Sequence, residues 1–283
     1  MSQASTLQQE LFFKSYNDAS PTTIVLLHGL FSCNLEWEHV IPHLSDYHLI
    51  VPDLPKHSQS REIGPWSIEL AADSVAHLIR KHAHGGQAHV VGLSLGGFTT
   101  MELIRRHPDL VKSAFVTGST PFRPWQVWAA ERPSLLHYGL KLVLNSGFYT
   151  LSVWMKGLKD HTQLRNEIAA NNDWNLVNDA YAGLAKWQHE DVKAVGEKDK
   201  RILAAAGDQG DDFDGAKEMA LAFRNEGRED GKKSTAVLIK GAIHAWNLQF
   251  PELFAEGIKA WVEGKPLPQD FVNLIDGRSD EGA

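Results

Sequence analysis

An α/β fold with a doubly wound, mostly parallel sheet and a helical cap insertion follows from three features of the amino-acid sequence. Short, unbroken apolar runs recur along the chain, and stretches with helical spacing separate them. The alternation is interrupted once, by a long aromatic-rich segment with no core strand of its own. Strands of a parallel sheet are buried on both faces and so read as continuous apolar runs. Strands alternating with helices imply a sheet covered on both sides.

The elements follow in order. Residues 1–16 are polar, carry Glu10 and Lys14 and hold no apolar core of a leader, so no secretory signal is expected. Residues 23–27, β-branched and apolar, form the first predicted strand and end at His28-Gly29. A second strand covers 47–51 and is closed by Pro52-Asp53. Apolar positions at Ile68, Ala71, Ala72, Val75, Leu78 and Ile79 predict a helix over 67–82. Residues 88–93 are the third strand, followed at once by Ser94-Leu95-Gly96-Gly97; a helix runs through 101–106 and stops near Pro108. Residues 113–117 are the fourth strand.

From 121 to 198 the pattern changes to a mainly helical insertion rich in aromatics, among them Phe122, Trp125, Trp128, Tyr138, Phe148, Tyr149, Trp154, Trp174, Tyr181 and Trp187. Strands return at 201–206 and 235–240, and an amphipathic helix follows at 251–262, with Pro251 in its first turn. The tail beyond Gly264 is polar and reads as loose. The expected organisation is one discontinuous core domain, 1–120 with 199–283, and a helical cap, 121–198.

Composition narrows the function classes. The 283 residues can bury a large core. A net charge of −7 argues against a nucleic-acid or anionic-membrane surface. The single cysteine, Cys33, excludes an intrachain disulfide and a cysteine zinc site, and reads as a small buried hydrophobe. His39 and His43 have helical spacing, but Pro42 lies between them and no H-E-x-x-H is present, so no metal site is read. No run approaches the ~18 apolar residues of a membrane span. The expectation is a cytoplasmic protein with a small-molecule substrate, no metal or organic cofactor, no nucleic-acid partner, and an oligomeric state that the sequence does not reveal.

Gly92-Leu93-Ser94-Leu95-Gly96 is a G-x-S-x-G between a buried strand and a helix, the context a nucleophile elbow requires. A serine hydroxyl is a weak nucleophile at neutral pH and needs an imidazole to take its proton. His244, after the last strand and before the last helix, is the best placed of the fourteen histidines. The third member must orient that imidazole. Asp208, Asp211, Asp212 and Asp214 follow the strand at 201–206; Asp211 is the choice, with Asp212 and Asp208 close behind, and most of them must be turn or helix-cap residues. The order Ser…Asp…His matches the order expected for a fold with such an elbow. The backbone N–H groups of Leu30, after His28-Gly29, and Leu95 are the expected oxyanion donors.

Together these pieces resemble the α/β-hydrolase superfamily, in the branch with an H-G oxyanion turn and a helical cap. The resemblance covers roughly residues 20–120 and 199–265. Asp53-Leu54-Pro55-Lys56-His57-Ser58-Gln59-Ser60 is similar to that family's D-L-P-G-H-G-x-S, with Lys56 and Ser58 where glycines are usual. The family's acid lies three residues after the glycine ending its strand; that position here is Gly210, and an extra residue shifts the acid to Asp211. The alternative acid site, Thr117-Gly118-Ser119-Thr120, holds no carboxylate.

The resemblance implies acyl transfer to water from an ester, lactone, thioester or activated ketone. The same superfamily also runs carbon–carbon cleavage, lyase, cyclase and cofactor-free oxygenase reactions with His as base, and a ligand receptor is a third reading, since fold does not dictate function. Most cap aromatics should pack the cap onto the core. A cap this rich in tryptophan nevertheless favours an apolar or aromatic ligand, with Phe31, Trp125, Trp128, Trp154 and Trp246 the residues expected to line its site.

Overall fold

The structure, a computed structural model, describes residues 9–145, 161–224 and 229–275. Its sheet has eight strands in the order β1-β3-β2-β4-β5-β6-β7-β8. The strands are β1 Phe13–Tyr16, β2 Thr23–Leu27, β3 His48–Pro52, β4 Ala88–Leu93, β5 Val111–Thr117, β6 Arg201–Gln209, β7 Thr235–Ile243 and β8 Phe271–Asn273. The six central strands pair in parallel, and the two edge strands, β1 against β3 and β8 against β7, are antiparallel.

The helices of the core are α1 Ile68–His82 and α2 Leu95–Arg106 before the insertion, then α8 Phe213–Phe223, α9 Trp246–Gln249 and α10 Pro251–Glu263 after it. Alternate side chains of each strand enter opposite layers. Val25, Leu27, Val90 and Ala114 pack with α1, α2 and α8; Ile24, Leu26, Val91 and Phe115 pack with α10 and Trp37. The insertion between β5 and β6 contains α3 Pro124–Ala130, α4 Pro133–Asn145, α5 Thr162–Asn171, α6 Trp174–Lys186 and α7 His189–Gly196. Leu176, Val177, Ala180 and Leu184 of α6 join the α1/α2 layer. Among the described residues no helix is long and apolar enough to cross a membrane.

Register brings the ends of the parallel strands into line. Leu27 pairs with Gly92, Leu93 with Thr117, Thr117 with Ala205, and Gln209 with Ile243. The loops that leave β2, β4, β5, β6 and β7 therefore emerge along one edge. The chain order reverses between β2, whose sequence neighbour β3 lies on one side, and β4 on the other. Such a switch point opens a crevice at the carboxyl ends of the strands.

The predicted strands and helices are all found, with β6 and β7 each extended by three residues. Two strands were not foreseen. β1 is four residues at an edge, three half-buried and Ser15 exposed, too short and too polar to show a period. β8 corrects the expectation of a loose tail: Phe271, 7% exposed, anchors it beside Phe115 and Trp246, with ring centroids 6.4 and 5.8 Å apart. A tertiary contact, not local propensity, makes that strand. Replacing Phe271 by Ala should therefore cost about 3–5 kcal/mol of stability, as expected for emptying a buried aromatic site, measured by urea unfolding; a change within a few tenths of a kcal/mol would show that the tail is not part of the core.

Candidate active site

Ser94 sits between β4 and α2 with φ 54° and ψ −116°, outside the regions L-residues ordinarily occupy. Its N–H donates to Thr117 O at 2.8 Å, and its own carbonyl accepts from Gly97 N at 2.9 Å. The glycines at both ends of the motif are required by space. A Cβ on Gly92 would meet Gly96 O at 2.2 Å, and one on Gly96 would meet Leu27 O at 2.1 Å. Leu95 opens α2, so its N–H lies outside the intrahelical ladder.

His244 follows β7. Its Nδ1 lies 2.6 Å from Asp211 Oδ1, and Asp211 Oδ2 accepts from Gly207 N at 2.9 Å. The register of β6 and β7 shifts between Gly207 and Gln209, which takes up the extra residue that the sequence comparison required. The other aspartates have different partners or positions. Asp212 caps α8 through Gly215 N and receives Arg123 Nε at 2.5 Å, and Asp208 points to solvent at the end of β6. Burial pulls the His244 pKa down, but the hydrogen bond and charge of Asp211, with the charge of Glu36, outweigh it and hold the imidazole above its ordinary value. Gly118, with φ 61°, makes room for the ring: a Cβ there would lie 2.5 Å from His244 Cε1.

Ser94, Asp211 and His244 line one cavity of about 240 Å³, together with Leu30, Phe98, Phe122, Tyr181 and Leu184. A wider groove of about 580 Å³ beside it, bordered by Arg123, His189 and Glu218, touches none of the three.

The turn after β2 is held from inside the protein. Gly29 N donates to Glu36 Oε2 at 2.7 Å, Phe31 N to His57 Nε2 at 3.1 Å, and Ser32 N to Gly29 O at 3.1 Å. The Leu30 N–H has no such acceptor among the described residues, and Leu30 faces the cavity. Burial drives His28 down to about 4 and, with His28 beside it, His57 down to about 3, so both rings are neutral at physiological pH. Each then donates through Nδ1 to a backbone carbonyl, Gly29 O or Pro55 O at 2.8 Å, and accepts through Nε2. Burial likewise raises Glu36 to about 6.

The departures at Lys56 and Ser58 leave the loop's glycine-like path intact. Both take positive φ, 67° and 41°, and Ser58 is tied to α5 through Asn171 and Glu167.

The expected ligand-contacting residues need correction. Trp246 is fully buried in the opposite layer, its ring 4.2 Å from that of Phe254 and its Nε1 donating to Thr117 Oγ1. Two residues past His244 the chain has already turned into α9, so the indole points away from the cavity. Trp125 and Trp128 are 69% and 55% exposed. They sit on the outer face of α3, whose one buried residue is Ala130, and are not among the described residues lining the cavity. Phe31 is buried with positive φ and is also absent from that lining; its neighbour Leu30 is present. Trp154 lies outside the described residues, as do Phe148 and Tyr149. The aromatics that do reach the cavity are Phe98, Phe122 and Tyr181, which touch one another edge-on or tilted. Phe98 is four residues beyond Ser94, one helical turn on, a spacing that the sequence carried. Glu36 and Asn171 had no local signal.

A family model described as alpha/beta hydrolase fold matches residues 22–204. A protein of Gibberella zeae named as an AB hydrolase superfamily protein is 31% identical over 269 residues, 92% of this chain and 86% of that protein. An esterase of Mycobacterium tuberculosis is 38% identical over 104 residues, 36% of this chain and 34% of its own length. Among solved structures, a thermophilic esterase from Thermogutta terrifontis superposes with a TM-score of 0.68 at 20% identity, over 90% of this chain and 93% of that one.

The contact between Gly96 and the end of β2 can be tested directly. Every atom that an added methyl would meet first is backbone, Leu27 O and C and His28 O, so no rotamer relieves the clash. Gly96→Ala should destabilise the chain by about 1–3 kcal/mol, read as a lower urea midpoint. An unchanged midpoint would mean that the start of α2 does not press on β2.

Proposed function

This chain belongs to the α/β-hydrolase fold family and is a hydrolase, and on that premise we propose that it cleaves small carboxylic esters by acyl transfer through Ser94, His244 and Asp211. The observation that carries the reading is the shared cavity at the switch point, with the His244–Asp211 bond at its rim.

With His244 neutral, its Nδ1–H donates to Asp211, which leaves Nε2 free to accept the Ser94 proton. Ser94 Oγ attacks the carbonyl carbon, and the N–H groups of Leu30 and Leu95 receive the developing oxyanion. The tetrahedral species collapses as His244 returns its proton to the leaving oxygen. Water, deprotonated by the same imidazole, then releases the acid from the acyl-serine. Segment 121–198 acts as the cap, since Phe122, Gln126, Tyr181 and Leu184 come from it. The aromatic rings of Phe98, Phe122 and Tyr181 and the modest volume favour a short acyl group or a small aromatic ester. A net charge of −7 disfavours nucleic acid as a partner. The one thiol, Cys33, is buried and free, which suits the cytoplasm.

Ser94→Ala should lower turnover of a short aryl ester by about 10⁴-fold or more while keeping the wild-type unfolding midpoint. Near-wild-type turnover from a purified variant would rule out the acyl-serine route.

The pH profile gives a second check. Because His244 is held above the ordinary histidine value, it keeps its proton to higher pH, and kcat/KM should rise with pH through a midpoint above about 6.5. In Asp211→Asn the supporting charge is lost, so the midpoint should move to lower pH and kcat should fall by about 10⁴-fold. A midpoint that stays in place would exclude Asp211 as the partner that sets it.

A further inference from the structure

We propose that Asn171, on the inserted helix α5, is a positioning residue that sets the Leu30 N–H for its oxyanion role, an inference resting on the function proposed above. Asn171 closes α5, yet its side chain is 1% exposed, because it crosses from the insertion into the core. Its two amide hydrogens are shared among Phe31 O at 2.9 Å, Ser32 O at 3.1 Å and Ser58 Oγ at 2.9 Å. Its oxygen accepts from Ser58 N at 2.8 Å. Only this orientation of the amide works, since the reverse would set its oxygen against two carbonyls. Ser58 Oγ passes its own proton to Glu167 Oε2 at 2.6 Å, one turn earlier on α5.

The bonds form a path to the donor. The peptide unit joining Gly29 to Leu30 carries the Gly29 carbonyl at one end and the Leu30 N–H at the other. Its plane is set by what the carbonyl receives, His28 Nδ1 at 2.8 Å and Ser32 N at 3.1 Å. Ser32 and Phe31 are in turn held by their carbonyls on Asn171, and Phe31 by its N–H on His57. Phe31 (φ 67°) and Ser58 (φ 41°) both lie in the left-handed region, which costs a non-glycine residue about 1–2 kcal/mol and persists only where surrounding bonds over-determine it. Asn171 grips both strained segments from the insertion, where His57 and Asp53 link them from within the core. Docking of α5 and the position of the donor are thus a single event.

The test compares wild type, Asn171→Ala and Asn171→Ser; the serine variant, whose gap admits a water, serves if the alanine variant folds poorly. Hydrogen–deuterium exchange reads the linkage without any assay of activity. We expect faster exchange in peptides covering 29–34 and 56–60 and unchanged exchange over 88–106. Titration with a fluorophosphonate counts competent Ser94, so that kcat is expressed per labelled site. It should fall about 10- to 100-fold, the size expected for a displaced group, with KM within about 2-fold. A merely structural role would lower the labelled fraction and leave kcat per site unchanged. Unchanged exchange at 29–34, or kcat per site within about 2-fold of wild type, overturns the proposal. If Ser94 takes no label in wild type, the acyl-serine reading fails by itself, and the exchange measurement still decides whether Asn171 holds the turn.

Discussion

The helix that starts at Leu95 begins so close to the end of β2 that a single methyl group at Gly96 would strike the Leu27 carbonyl. A strand-to-helix turn this tight cannot be made with ordinary dihedrals, and the residue that absorbs the deformation is Ser94. Strain and position share an origin here. The geometry that forces φ to 54° also sets Ser94 on the cavity, with the first free N–H of α2 directly after it. Parallel register then brings Leu30, Gly118, Asp211 and His244 to that space from neighbouring strands, none of them more than a few residues past its strand end.

Histidine serves two opposite purposes within this edge, and the difference lies in the partners. His28 and His57 are sealed among backbone groups and meet edge to face, ring centroids 4.9 Å apart. Burial keeps them neutral, so each offers one donor and one acceptor and splices two loops together. His244 is half-exposed on the cavity and faces carboxylates, which favour its charged form. A neutral linker must never titrate in the working range, whereas a proton carrier must do so readily. Glu36 belongs with the linkers in position, bonded to Gly29 N, and with His244 in effect, since its charge reaches that imidazole.

Much of this was legible from the residues in order. Buried strands announce themselves as apolar runs, and the G-x-S-x-G, the H-G turn and the histidine after β7 each stand directly after such a run. The choice among three aspartates also had a physical basis that the sequence only hinted at: the irregular pairing near Asp208 carries Asp211 round to the imidazole, while Asp212 is committed to α8 and Arg123. The cavity-facing aromatics were not legible. Tryptophans at helical spacing show which side of a helix is apolar but not which side meets the core, and α3 turns Trp125 and Trp128 outward. For Trp246, two residues of chain were enough to cross from one layer of the sheet to the other. β1 and β8 are too short to carry a period, and contacts distant in sequence create them.

Lys56 and Ser58 pose the last question, because a loop that needs positive φ is most cheaply built from glycine. Their side chains explain the exchange only in part: Lys56 Nζ reaches Arg61 O at 3.1 Å, a bond within its own loop, while Ser58 binds across to α5. A glycine at 58 would adopt the same path without help and would keep only its backbone N–H bond to Asn171. Serine adds side-chain bonds to Asn171 and Glu167. The helix therefore stabilises a loop whose His57 supports the turn after β2. Changes in the insertion that disturb Asn171 would then also alter how firmly the turn after β2 is held, so the insertion and that turn cannot vary independently.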